Sequence, residues 1–423
     1  MVVGTIIGAS IFVQPSEVTG RIGSISGVLA VWAVAGLLTL IGALVCAELS
    51  SRFTESGGVY VYLREAFGRP AGFLWGWAMF WSVHTAIIAI IAVYFAQYTD
   101  YFFELGERGQ KVIALAAIWA LSLVNCYGVA HGSVLQTLFT AGKLLAIAAI
   151  IVAGFALGSN LEAHFVSNVE AGAENEGGTV TAFLTALIAG LFAFGGWHMV
   201  TYNAGETVAP QRTIPVALVL GVIIVTITYV AVNVVYLYIL PLEAVAASER
   251  VAADAADAVL GKGGGATMSV LVMFSTFGAL SGIVLAGPRV YLAMARDGLL
   301  PRWFGRIHPT WRTPTRAIIA QAAWASVLLS TGTVRVLFIR VIYTEWLFFA
   351  LMAVGLVVLR RRIGPPPWRM WGYPVLPFIF VASSLAIVIN RLIAKPLESG
   401  LSLGFVALGL PVYLVWTRFA RKT

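Results

Sequence analysis

Apolar residues run along this chain in long blocks separated by short polar stretches, with no strict two-residue alternation. A helix rising 1.5 Å per residue needs roughly 20 apolar residues to cross about 30 Å of hydrocarbon. The pattern predicts about twelve such helices, at roughly 1–19, 24–50, 70–99, 112–129, 134–158, 180–204, 214–240, 267–295, 315–331, 334–359, 373–393 and 401–418. The missing alternation argues against barrel strands. The longest connections are 159–179 and 241–266. The expected fold class is therefore an all-α polytopic membrane protein.

Composition agrees. The 423 residues are 60% hydrophobic and only 11% charged, where a water-soluble domain carries about a quarter charged residues. Lipid leaves backbone groups unsatisfied, so a chain this apolar must span as helices or as a closed barrel. The net charge of +8 is explained by where the charges lie. Assigning successive loops to alternate sides puts sixteen bases on one side and nine on the other, with five and thirteen acids respectively. The positive-inside rule makes the basic side cytoplasmic, and an even number of spans brings both termini there. No nucleic-acid partner is expected. Cys46 and Cys126 both lie in or beside apolar runs and imply no disulfide framework. The first apolar block lacks the basic lead-in of a cleavable signal peptide.

Two blocks contain residues that should break them. Gly8-Ala9-Ser10 interrupts the first, and Phe192-Ala-Phe-Gly-Gly-Trp-His198 interrupts the sixth. Small residues also serve helix packing. Glycine interruptions at matching positions of two halves, five spans apart, instead point to a transporter site built from inverted repeats. An unwound centre leaves two half-helices facing each other. The half running onward from Ala9 presents free N–H groups and the positive dipole end, which suit a carboxylate. The half ending at Ile6-Ile7 presents orphan carbonyls, which suit an ammonium. A site offering both fits a zwitterion, an α-amino acid.

At these residues the sequence resembles the amino acid–polyamine–organocation (APC) superfamily, and within it the L-type amino acid transporters. The resemblance rests on GTIIGASIFVQP (4–15), ALVCAELSSRFTESGGVYVYLREAFG (43–68), LQTLFTAGKLLAIAAIIVAG (135–154), FAFGGWHMVTYNAGETVAPQRTIPVAL (192–218), STFGALSG (275–282) and ARDGLLPRWF (295–304). It implies a five-plus-five inverted repeat, here 1–158 and 180–359, followed by two further helices in 373–418. It also implies sodium-independent amino acid transport, often by exchange. Carried over by position, Ile6, Gly8, Ala9 and Ser10, with the adjoining Ile11, line the substrate site. Phe192 is the aromatic gate, beside Ala193 and Gly195. Two departures stand out. The usual Gly-Ser-Gly reads Gly8-Ala9-Ser10, which narrows the pocket. The span-eight serine facing the family's lysine reads Ala279, so Thr276 or Ser275 is expected to substitute.

Three charges fall inside spans: Lys143, Arg289 and Glu345. Such residues are costly and are functional candidates by default. Lys143 lies about ten residues into its span, too deep for easy snorkelling. In the family, the matching lysine takes the place of the sodium ion of sodium-coupled relatives; a structural ion pair with Glu345 is the alternative. Glu345 itself has three candidate roles: proton coupling, a partner for a cationic substrate, or a counter-ion for Lys143 or His84. His198, just past the second break, is the histidine expected to line the pocket. The five histidines show no metal-ligand spacing. There is no phosphate-binding loop and no nucleophile–base or His-Glu-x-x-His motif. No cofactor, metal or enzymatic activity is expected.

The expected substrates are small or medium neutral L-amino acids, taken by exchange. The alternative is a proton-coupled symporter that also accepts cationic amino acids. Family members with a disulfide-linked glycoprotein subunit carry a cysteine in the loop after span three. Residues 99–111 contain none, so no such partner is expected. A bacterial inner membrane is the expected location. Only seven residues precede Gly8, about 10 Å of helix where half a bilayer needs about 15 Å. Met1 is therefore expected to be an internal methionine or a mis-called start, with the native chain beginning earlier.

Overall fold

The structure is a computed structural model and describes residues 2–127, 129–158, 178–261, 263–331 and 334–420. Among these residues it is a bundle of helices without a strand. Among the described residues nine helices are long and apolar enough to cross a membrane. They include Ile25–Arg52 (α3), Gly106–Cys126 (α7), Phe139–Leu157 within α8 (Val129–Leu157) and Pro210–Ile239 (α10). Gly264–Arg296 (α13), Val375–Ala394 (α16) and the pair Pro396–Ala407 (α17) and Gly409–Ala420 (α18) follow. The third span is one helix over Arg69–Phe103, running through α5 (Arg69–Ala78), a wider π-turn at Met79–Val83 and α6 (His84–Phe103).

The other four expected spans are present in altered form, the sixth (Thr179–Glu206) being one of the nine. The first is split into α1 (Val2–Ile6), a 3-10 turn (Ser10–Phe12) and α2 (Gln14–Thr19). The ninth, α14 (Thr315–Thr331), has 17 residues. The tenth, α15 (Val334–Ile363), ends on Arg360, Arg361 and Arg362. The sixth is α9 (Gly178–Ala193) followed by a 3-10 stretch, Trp197–Glu206, where the periodicity predicts continuing α-helix. Short helices α4 (Val59–Phe67), α11 (Leu242–Ala247) and α12 (Val251–Leu260) lie in the connections.

α3 and α10 form the widest helix contact of the bundle. Gly36 permits it: a Cβ there would lie 2.3 Å from Thr226 Cγ2. Small residues of this kind let membrane helices close on one another where lipid offers no hydrophobic drive. Trp32 of α3 and Tyr229 of α10 then meet edge to face at 5.8 Å. α1 sits against α8, α10, α13 and the 3-10 stretch of span six, while α2 packs on α9.

α13 carries Pro288 in its interior. Proline has no N–H, so the carbonyl one turn earlier loses its partner. The freed region is satisfied from outside: Gln321 Nε2 donates to Val284 O at 2.7 Å, and His84 Nε2 contacts Ile283 O at 2.9 Å. His84 is thus a cap on a proline-interrupted helix and has no place in the candidate site described below.

On the face bearing the basic loops, Arg64 of α4 pairs with Asp297 at 2.6 Å and with Glu65 at 2.9 Å, and also with Glu55. The Tyr60 hydroxyl donates to the same Asp297. Burial, and then the Asp297 carboxylate, push that hydroxyl well above the usual phenol range, so it stays a donor. Fully buried Glu48 of α3 accepts from Met370 N–H at 2.8 Å and from Arg360 of α15, at 2.5 Å from its Nη2. Arg289, buried within α13, reaches Glu206 at 3.3 Å and donates to Leu285 O at 2.5 Å. Cys46 and Cys126 are buried free thiols.

Candidate functional site

The two breaks meet at the centre of the bundle. α1 stops at Ile6 and α9 at Ala193, and each chain leaves its helix through residues the sequence marks as breakers. At the second break Gly196 takes φ +91°, and a Cβ there would also sit 3.1 Å from Thr5 O. Glycine is required at this position on both counts. Ser10 is not among the positive-φ residues, so a side chain is tolerated there without strain.

Unwinding a membrane helix frees backbone groups that lipid cannot satisfy. Here the carbonyls of Gly4, Ile6, Ile7 and Phe12 are met by side chains from other spans. Lys143 Nζ of α8 donates to Gly4 O at 2.8 Å and to Ile7 O at 2.7 Å. The Tyr229 hydroxyl of α10 lies 3.0 Å from Ile6 O and 3.1 Å from Ala193 O, joining the ends of both half-helices. Tyr98 of α6 donates to Phe12 O at 2.9 Å. The N–H groups are different. Phe12 and Val13 donate to Ala9 O and Ser10 O. None of the hydrogen bonds among the described residues uses the N–H of Gly8, Ala9, Ser10 or Ile11. The break therefore presents open donors, while the carbonyls of Gly4, Ile6 and Ile7 are already occupied.

Lys143 is 1% exposed and its ammonium is committed to α1, so the alternative of an ion pair with Glu345 is not what forms. Glu345 faces His198 instead, with Nε2 and Oε1 3.7 Å apart. The sequence reading gave the orphan carbonyls of the first half-helix to a substrate ammonium. Two of them hold the protein's own ammonium, and Ile6 O is shared with Tyr229. Thr276 donates to Val272 O of its own helix at 2.7 Å, while Ala279 Cβ lies 3.4 Å from where a Cβ on Gly8 would be. The expected bond from Thr276 to Lys143 is absent among the described residues.

Between the breaks lies a narrow cavity of about 30 Å³, room for only one or two water molecules as the helices stand. Ile6, Gly8, Ser10, Phe192, Gly195 and Glu345 line it, as the sequence reading expects. Ala9, Ile11, Ala193 and His198 are buried behind these and do not reach it. Sequence reasoning missed the two hydroxyls of Tyr229 and Tyr98. Tyrosines within apolar spans look like packing; the signal available was only that a buried phenol needs a partner.

A model of the family described as "Amino acid permease" matches residues 1–413. The chain belongs to the amino acid permease family. The permease is 34% identical over 418 residues to the serine/threonine exchanger SteT of Bacillus subtilis (strain 168), covering 98% of this chain and 94% of that one. It is 31% identical over 426 residues to the mouse large neutral amino acids transporter small subunit 2, covering 100% and 80%. The human cystine/glutamate transporter is likewise 31% identical over 427 residues, covering 100% and 84%. The resemblance to APC-type, LAT-like permeases read from the motifs is thereby established, and with it a multi-pass membrane protein whose named relatives transport amino acids.

Proposed function

We propose that this permease exchanges small or medium neutral L-amino acids across the cell membrane by alternating access, without sodium. The observation that carries this is the Lys143 ammonium on the carbonyls of Gly4 and Ile7. The C-terminal end of a half-helix favours a cation. Here a tethered one is built in, so no dissolved cation is needed to hold α1 in place. The substrate carboxylate then lies on the open N–H groups of Gly8 and Ser10, the residues just past the break that line the cavity. Its ammonium turns towards the second acceptor site of Ile6 O and the carbonyls of the second break. Phe192 closes over it. The apolar walls, narrowed by Ser10, favour a compact neutral side chain.

Residues 1–158 and 180–359 act as inverted repeats, with 373–418 outside them. The contacts of α1 with the second half of span six, and of α2 with the first half, support that arrangement. Both termini lie on the cytoplasmic side of a bacterial inner membrane, and the carrier works without a disulfide-linked subunit. Relatives named as exchangers of serine and threonine and as carriers of large neutral amino acids support the substrate class.

The test is uptake of a labelled neutral amino acid into proteoliposomes that are either empty or loaded with unlabelled amino acid. Exchange requires the internal amino acid. A second reading, proton-coupled symport extending to cationic amino acids, is favoured by the carboxyl of Glu345 in the cavity wall. It requires accumulation in empty vesicles under an inward pH gradient.

A further inference from the structure

Among the residues lining the cavity Glu345 is the one that ionises; the hydroxyls of Thr5 and Ser10 are the other polar side chains. Glu345 is 5% exposed and lines the cavity beside Trp346, facing Ile87, Ile91 and Ile283. Its Oε1 has no hydrogen-bond partner among the described residues. The nearest ionisable group is His198 Nε2 at 3.7 Å, beyond hydrogen-bond reach. His198 is fully buried, and neither ring nitrogen has a partner among the described residues. Its ring is caged by Phe349 at 4.9 Å, Trp197 and Tyr202 at 5.5 Å and Trp75 at 6.0 Å. Lys143 is already committed to α1 and supplies nothing to Glu345.

A carboxyl oxygen buried without a donor is costly, and native structures avoid it unless something arrives to fill the place. If the two breaks hold the α-carboxylate and α-ammonium, the part of the substrate left to meet Glu345 is its side chain. We propose that Glu345 is the side-chain acceptor of the site. It selects amino acids whose side chains end in a hydrogen-bond donor, a hydroxyl or an ammonium, over apolar isosteres. This rests on reading the cavity as the substrate site. The selectivity follows from what each competitor leaves behind. A purely apolar pocket barely separates a hydroxyl from a methyl of the same size, whereas a buried acceptor left unpaired penalises the methyl strongly.

Two isosteric pairs test this in proteoliposomes: threonine against valine for the hydroxyl, and ornithine against norleucine for the ammonium. The wild-type protein should prefer the donor-bearing member of at least one pair by about 10- to 100-fold in uptake efficiency. The pair that responds identifies the donor. In Glu345→Leu the preference should fall to about one. Ratios near one for both pairs in the wild type overturn the proposal, as does a preference that survives in Glu345→Leu. The wild-type ratios decide even if the leucine variant does not insert. In that case Glu345→Gln, which keeps an acceptor oxygen without the charge, should lower an ornithine preference more than a threonine one. Equal valine and threonine uptake would leave transport itself standing. Absence of any amino acid uptake would overturn the transport reading and this inference together.

Discussion

Replacing Lys143 by alanine removes the one cation that ties α8 to the end of α1. Its two bonds, to Gly4 O at 2.8 Å and Ile7 O at 2.7 Å, are charge-assisted. Hydrogen bonds to charged groups contribute about 1.5–3 kcal/mol each, so the pair is worth about 3–6 kcal/mol at most. Water entering the gap returns part of this, leaving about 3 kcal/mol. At 1.4 kcal/mol per factor of ten, the fraction of carriers with α1 correctly seated falls by about 100-fold or more. Initial rates of labelled neutral amino acid uptake should drop to near the background of empty liposomes. The comparison needs equal amounts of reconstituted protein and a monodisperse size-exclusion profile for the variant, since insertion should be unaffected. A lysine with only a structural role would lower the melting temperature and leave uptake by the surviving protein normal. Wild-type uptake in Lys143→Ala refutes the reasoning.

Tyr229→Phe removes a single proton shared by Ile6 O and Ala193 O. It should lower the stability of the detergent-solubilised protein by about 1 kcal/mol and slow uptake several-fold, read by thermal melting and initial rates; a variant that melts and transports as the wild type removes Tyr229 from the site. Glu48→Ala leaves Arg360 without its buried partner, and breaking such a pair costs about 3–5 kcal/mol. A clear drop in melting temperature is expected, and an unchanged one shows that water replaces the carboxylate.

The spans and both breaks were legible because they depend on local composition. Twenty apolar residues must cross as helix, and Gly8 and Gly195-Gly196 stand where a helix should not have them. Lys143 was legible for the same reason, as an isolated charge in a long apolar stretch. What the pattern hid was pairing across the bundle. Nothing in the local sequence says that Tyr229 bridges the ends of two half-helices, or that Lys143 reaches α1 and leaves Glu345 to His198. Nor does it say that His84, named as a possible partner of Glu345, instead contacts Ile283 O near Pro288, some 200 positions away. The 3-10 form of Trp197–Glu206 was hidden too, because its apolar pattern fits either helix. Burial alone did not decide the site: His198 and Ile11 are as buried as Ile6, yet only Ile6 lines the cavity.

The central claim is that a tethered ammonium does the work of a dissolved cation. It is tested most directly by the initial rate of labelled neutral amino acid uptake into amino acid-loaded proteoliposomes, with sodium replaced by choline on both sides. The expected rate is the same in both media. A rate that collapses in choline and returns with sodium would contradict the role given to Lys143.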